Sequence, residues 1–171
     1  MLSLVACQQE SPHRFIEEDL PYFDLRGLTD TLAVTLQEDN PKVRKRVVQR
    51  DSTEVQTIRI ADWEQELTLF READINKPVL RDSYTTEQRG DTLVHRANTE
   101  EPAVRHMRVI RNEEGTRIRI SFRERSRLFD VERELALQLS PARELQRYRI
   151  DSRQDITLKE SQRYLIEGKI Q

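Results

Sequence analysis

A strict two-residue alternation between Thr116 and Arg123 constrains the fold of this chain more than any other feature. Ile118, Ile120 and Phe122 are apolar, and the residues between them are arginine or serine. Successive side chains of a β-strand point to opposite faces of the sheet. The alternation therefore predicts a strand with one buried face and one face in water.

The residues before this strand predict its partner, in a hairpin from 104 to 124. Pairing Val109 with Ile118 places Met107 opposite Ile120, so all four apolar side chains share one face. Such agreement is what fixes the register of a strand pair. Residues 112–115 then form the loop, in which Gly115 can adopt the positive φ that such loops need.

Length and composition are those of one folded domain without a strong charge bias. The chain has 171 residues, of which 36% are hydrophobic and 35% charged, and its formal net charge is −2. This length allows one domain with a real core. The near balance of charges gives the whole chain no bias toward nucleic acid or anionic membranes.

A first helix is predicted at about 24–38. Leu25, Leu28, Leu32 and Leu36 recur at spacings of three and four residues, which places them on one helix face. Asp24 is a suitable N-cap residue. The dipeptide at 40–41, Asn-Pro, is expected to end the helix.

A second helix is predicted at about 62–75. Asp62 and Gln65 resemble a capping box at its start. Trp63, Leu67 and Phe70 form an apolar stripe, so we expect this helix to pack on the sheet. A proline at 78 follows the predicted end.

The remaining apolar runs predict strands joined by short polar turns. Besides the hairpin, these runs are 42–50, 54–60, 83–88, 92–97, 145–150, 155–159 and 162–170. Turns are predicted at 51–53, 151–153 and 160–161. Because 42–50 is rich in charge, we expect this strand at a sheet edge.

Residues 128–139 fit two readings. Their odd positions are mostly apolar, which favours a strand, whereas 132–138 is rich in helix-forming residues. The alternation is the longer pattern, so we predict a strand. The fold class is then α+β, with an antiparallel, mostly meandering sheet of about eight to ten strands and two short helices.

The N-terminus carries a short motif that ends at the single cysteine, Cys7. The run Leu4-Val5-Ala6-Cys7 resembles the lipobox of bacterial lipoproteins, in which the cysteine is lipidated and becomes the mature N-terminus. The resemblance predicts lipidation at Cys7, a polar tether to residue 20 and a single domain over 21–171. Residues 1–6 are too short for a complete leader, so we expect either an upstream start or a shortened leader.

No catalytic, cofactor or metal motif is found. His13, His95 and His106 are the only histidines, and none forms a helical ligand pair. Four glycines leave no phosphate-binding loop of known pattern. The sequence therefore predicts neither catalytic nor metal-binding residues, no cofactor and no enzymatic activity, although carboxylates that meet across a sheet are an open alternative.

The solvated face of the central strand is rich in arginine. Arg117, Arg119 and Arg123 alternate there, and the acidic residues Asp130, Glu132 and Glu134 alternate in the next strand. Opposite charges can pair across neighbouring strands. We predict a salt-bridged solvent surface that is not an anion-binding site and binds no nucleic acid, with single-stranded nucleic acid as the alternative ligand.

The expected function is a non-enzymatic binding or interaction module of the bacterial cell envelope. The lipid anchor would hold it in a membrane, with the outer membrane facing the periplasm as the expected location, and its partner is an unknown protein or apolar ligand. In outline, a meander with helices on one face resembles the half-open barrels of periplasmic lipoprotein carriers. That resemblance implies the alternative of a carrier or chaperone for a hydrophobic ligand or a lipoprotein.

Overall fold

The computed structural model describes residues 20–50, 52–157 and 160–171. Its α-helices are α1 (Leu25–Asp39), α2 (Trp63–Glu66) and α3 (Thr68–Glu72), and a 3₁₀ turn covers Pro78–Leu80. The strands are β1 (Lys42–Gln49), β2 (Ser52–Arg59), β3 (Tyr84–Arg89), β4 (Thr92–Ala97), β5 (Val104–Asn112), β6 (Gly115–Arg125), β7 (Phe129–Leu139), β8 (Leu145–Ile156) and β9 (Gln162–Ile170).

All nine strands belong to one antiparallel sheet, in the order β2-β1-β9-β8-β7-β6-β5-β4-β3. The strands β3 to β9 form a continuous meander, and the β1–β2 hairpin joins it through β9. The segment between β2 and β3 therefore connects the two edges of the sheet, and it carries α2 and α3 across one face. The α+β class and the mostly meandering antiparallel sheet are confirmed.

The β5–β6 hairpin has the predicted register. Val109 pairs with Ile118 and Met107 with Ile120, and all four side chains are fully buried. Gly115 has a φ of +123° at the end of the loop. The face of the sheet that carries these side chains, together with the helices, encloses the core; we call it the inner face and the opposite one the outer face.

Helix α1 agrees closely with its prediction. The Asp24 carboxylate accepts a hydrogen bond from the backbone N–H of Gly27, which caps the first turn. The leucine stripe of α1 is buried. Asn40 takes a left-handed conformation with φ of 45° and ends the helix, as is common for asparagine at this position.

The helix predicted at about 62–75 is present, but it is interrupted at Leu67, which divides it into α2 and α3, and it ends at Glu72. Just after the interruption, the Thr68 hydroxyl donates a hydrogen bond to the carbonyl of Glu64. Beyond Glu72, the Asn76 side chain accepts from the N–H of Tyr22 and donates to the carbonyl of Phe23. This segment is therefore bonded to the start of α1 instead of continuing as helix.

Two expectations about the strands are wrong, and one is confirmed. Residues 151–153 are not a turn, since β8 runs from Leu145 to Ile156 and the small side chain of Ser152 packs on the inner face. Strand β1 is not an edge strand, because it lies between β2 and β9. Residues 129–139 form a strand, as predicted for 128–139.

Within the described ranges, the structure contains no helix with the length and apolar character needed to cross a membrane.

Candidate functional site

One half of the outer face lies around the C-terminal end of β6 and the N-terminal end of β7, and we call it the salt-bridged half. Arg123 lies 2.9 Å from Asp130 and 3.2 Å from Glu132, and Arg125 lies 3.0 Å from Asp130. The hydrogen bond from Arg123 is the main reason why the pKa of Asp130 is lowered. In this half the predicted pairing of arginines with acids is correct.

A second set of ion pairs lies beside it on β8 and β9. The Asp151 carboxylate is 3.0 Å from Arg163 and 3.1 Å from Arg149. The hydrogen bond from Arg163 contributes most to the lowered pKa of Asp151. These carboxylates therefore stay ionised and cancel much of the positive charge around them.

The other half of the outer face, toward the 113–114 turn, is different, and we call it the basic half. Two rows of outward side chains cross it from β1 to β5. The first row reads Arg44, Lys169, Arg147, Gln138, Arg117 and Ile110. The second row reads Arg46, Glu167, Arg149, Ala136, Arg119 and Arg108. Eight of these side chains are basic and Glu167 alone is acidic.

The prediction that the acids of β7 neutralise Arg117 and Arg119 is therefore wrong. The antiparallel register places Arg117 opposite Gln138 and Arg119 opposite Ala136. The acidic residues of β7 lie further along the strand, beside the salt-bridged half. Strands β6 and β7 do pair, but of the three predicted arginines only Arg123 contacts the acidic residues of β7.

Two carboxylates neutralise part of the basic half. Glu167 lies 2.9 Å from Arg46 and 2.6 Å from Arg149, whereas Glu114 of the turn lies 2.5 Å from Arg117. Partial burial by itself would raise the pKa of Glu167, but the two hydrogen bonds from arginine outweigh it and lower that pKa.

Five exposed cations of the basic half have no ion pair with any described residue. They fall into two groups. Patch one is Arg44, Lys169 and Arg147, which lie directly opposite one another on β1, β9 and β8. Patch two is Arg108 and Arg119, which lie opposite each other on β5 and β6. Like charges directly opposite each other across strands are destabilising, so both patches favour an anion between their side chains.

A groove of about 540 Å³ runs over this half, and we call it the basic groove. Ala136 of β7 is part of its floor, and arginines of β6 and β8 stand on either side. A short side chain between long ones leaves an open channel along the strand. Because guanidinium groups bind phosphate and sulfate through paired hydrogen bonds, the arrangement is suited to such anions.

Of this site, the arginines of β6 follow from the sequence pattern alone. The prediction did not include Arg44, Arg46, Arg147 and Lys169. The non-local pairing of β1 with β9, and of β9 with β8, brings these side chains together. The sequence does carry a signal for two of these strands, since β1 and β8 each have two arginines two residues apart, Arg44 and Arg46 in β1 and Arg147 and Arg149 in β8.

A second opening, the α1 groove, lies between α1 and the neighbouring end of the sheet. Its volume is about 650 Å³, and its apolar lining includes Leu28, Leu32 and Ile170. Arg111 and Arg143 also line it, and burial, followed by the nearby Arg143, lowers the pKa of Arg111. The rest of the inner face holds a packed core around Trp63 and its neighbours.

His95 and His106 lie on opposite faces of the sheet. His95 is fully buried, and its ring accepts a hydrogen bond from the N–H of Phe23 and contacts the hydroxyl of Thr86. His106 is half-buried on the outer face, where burial and then the charges of Arg96 and Arg108 lower its pKa.

Cys7, the predicted lipidation site, and His13 lie outside the described residues. Within the described ranges, no group of three or more histidine, cysteine, aspartate or glutamate residues is placed to hold a metal ion. Lipidation at Cys7 remains a prediction.

Comparison with protein-family models, with curated proteins and with solved structures gives no match to this chain.

Proposed function

We propose that this chain is a non-enzymatic binding module of the bacterial cell envelope, anchored through lipidated Cys7, whose basic groove binds a phosphate- or sulfate-bearing ligand. The single observation that supports the ligand class is the distribution of charge on the outer face. Two rows hold eight basic side chains and one acidic one, and five of the cations have no ion pair among the described residues.

Acidic residues are not scarce in this chain, so the charge pattern is local. Asp and Glu together number 31 against 29 Lys and Arg. The carboxylates of the outer face are concentrated at the salt-bridged half, around Asp130, Glu132 and Asp151. The resulting field would concentrate anions over the basic half even though the net charge is near zero.

The test is calorimetric titration of the 171-residue chain with inorganic tripolyphosphate at roughly 0.15 M salt, where distant surface charges are screened. The double variant Arg119→Ser with Arg147→Ser removes one unpaired cation from each side of Ala136. Because hydrogen bonds to charged groups are strong, we expect its affinity to fall by about tenfold or more.

The matched control is Arg125→Ser with Arg153→Ser, which removes the same charge from the salt-bridged half of the same face. Both control side chains are 59% exposed and already paired with a carboxylate. Their loss should leave the affinity nearly unchanged. A wild-type chain that does not bind tripolyphosphate, or equal losses in both double variants, would contradict the proposal.

The α1 groove supports a second candidate function, the carriage of a hydrophobic ligand. Its apolar lining and its position beside α1 are the observations in favour. The leucines of α1 are, however, already buried against the core, so little apolar surface is free. A fluorescent fatty acid should bind to the wild-type chain. The variant Thr35→Trp, which fills the groove, should not bind it. Absence of binding to the wild type would contradict this candidate function.

A further inference from the structure

The two patches of unpaired cations are separate from each other, and this separation bears on the ligand. Arg147 of patch one lies on β8, and Arg119 of patch two lies on β6, with β7 between them. Arg147 is paired with Gln138, and Arg119 with Ala136, so the two arginines are also two residues apart along the strands. Standard strand spacings place their Cα atoms about 12 Å apart.

Between the patches there is no competing positive or negative charge on β7. Its outward side chains here are Gln138 and Ala136, and both are uncharged. The side chain of Ala136 also ends at Cβ. The flanking arginines Arg117 and Arg149 already have carboxylate partners at 2.5 and 2.6 Å. Patch one and Arg119 of patch two therefore line one groove across a short, uncharged floor. Arg108, the other cation of patch two, lies opposite Arg119 on β5.

The acidic residues limit the length of a ligand that follows the strands. Beyond Ala136, the next outward residue of β7 is Glu134, which pairs with Asp151 of β8. A chain of anionic groups that continued along β7 would meet these two carboxylates. Repulsion there restricts favourable anion contacts to the two rows of the basic half.

We infer that the ligand of the basic groove is a compact molecule with two separate phosphoryl groups, one over patch one and one over patch two. This inference rests on the proposed function. A soluble bisphosphate ester and a lipid headgroup with two phosphates share this chemistry. A single phosphate would satisfy one patch only, and a long linear polyanion would gain nothing from its further groups.

A series of α,ω-alkanediol bisphosphates of increasing length tests the spacing, with an alkyl monophosphate as the reference. Binding to the 171-residue chain should be strongest at an intermediate length and about tenfold tighter than for the monophosphate, as expected when a second binding event becomes intramolecular. The variant Arg108→Ser with Arg119→Ser removes patch two. It should reduce the best bisphosphate to the affinity of the monophosphate and abolish the length preference.

A matched variant, Arg125→Ser with Arg153→Ser, should keep the length preference. Equal binding of every bisphosphate and the monophosphate would overturn the inference, as would an affinity for linear polyphosphates that rises with each added phosphate. If tripolyphosphate binds but no length preference is found, only this inference fails. If tripolyphosphate does not bind at all, the proposed function fails as well.

Vesicles distinguish the two sources of the shared chemistry. Phosphatidylcholine vesicles with cardiolipin, which carries two phosphates, are compared with vesicles that hold an equal charge as phosphatidylglycerol. Preference for cardiolipin that depends on Arg108 and Arg119 assigns the groove to a lipid headgroup. Spacing-dependent binding of soluble bisphosphates without that preference assigns it to a free ligand.

Discussion

The backbone N–H of Phe23 donates a 3.3 Å hydrogen bond to Nε2 of His95, which joins residues 72 positions apart. Since Nε2 accepts, the neutral ring carries its proton on Nδ1, which faces the Thr86 hydroxyl at 2.8 Å. The ring also packs edge-on against Tyr22 at 5.4 Å. One buried imidazole thus links the start of α1 to β4 and to the edge strand β3.

The burial of His95 predicts a loss of stability in mild acid. Burial lowers the pKa of His95 from 6.5 to about 4. Between these values the unfolded chain binds the proton more readily than the folded one, so the free energy of unfolding falls as the pH falls. By linkage, His95 contributes up to about 3 kcal/mol that is present above pH 6.5 and is lost toward pH 4.

Urea denaturation of the wild type and of His95→Gln at several pH values measures this effect. Glutamine can accept the Phe23 bond but does not titrate, so the advantage of the wild type should shrink as the pH falls. His106→Gln, on the outer face, is the control and should change the pH dependence less. A constant difference between wild type and His95→Gln would show that His95 does not titrate as inferred.

The faces of β6 give a second prediction. Ile120 is fully buried between neighbouring strands, and Arg119 is exposed opposite Arg108. Ile120→Ala should lower the free energy of unfolding by about 2–5 kcal/mol through the cavity that it leaves. Arg119→Ala should change it by less than about 0.5 kcal/mol. Equal shifts of the denaturation midpoint for the two variants would contradict this assignment of faces.

Local patterns predicted the parts of the fold that depend on neighbours in sequence. The β5–β6 register followed from Val109 and Ile118 on one face and from Gly115 in the loop, and the leucine stripe predicted α1. The break at Leu67 did not follow, because the spacing of Trp63, Leu67 and Phe70 fits one continuous helix and two short consecutive helices equally well. A period alone does not distinguish the two.

The candidate site was harder to predict because its strands are distant in sequence. Arg44 and Lys169 are paired across the sheet although 125 positions separate them. The same register that brings them together places the acids of β7 beside Arg123 and away from Arg119. Pairing of β6 with β7 was foreseen, but the position of each charge along the strands decides which arginines are neutralised.

Lipidation of Cys7 is a third prediction, motivated by the run Leu4-Val5-Ala6-Cys7 and the polar residues after it. The protein, produced in bacteria with a complete leader upstream of residue 1, should incorporate an alkyne-labelled fatty acid. Cys7→Ala should lose the label and move from the membrane fraction to the soluble fraction. A wild-type protein that stays unlabelled under these conditions would refute the anchor.

The last prediction concerns the close packing of Gly168 against Tyr148. The Tyr148 hydroxyl donates a 2.5 Å hydrogen bond to Glu66, and its ring packs edge-on against Trp63 at 6.3 Å, so the ring has little freedom to move. A Cβ at position 168 would overlap Cε1 of that ring. Gly168→Ala should therefore lower the free energy of unfolding by about 1–3 kcal/mol, as overpacking does.

A double-mutant cycle separates this clash from a general effect of alanine in β9. Tyr148→Leu removes the far end of the ring, so Gly168→Ala should cost much less in that background than in the wild type. The difference between the two costs is the interaction free energy of the pair, obtained from urea denaturation of the four proteins. Equal costs in both backgrounds would show that the tyrosine ring does not restrict position 168, and the contact between β8 and β9 would need another explanation.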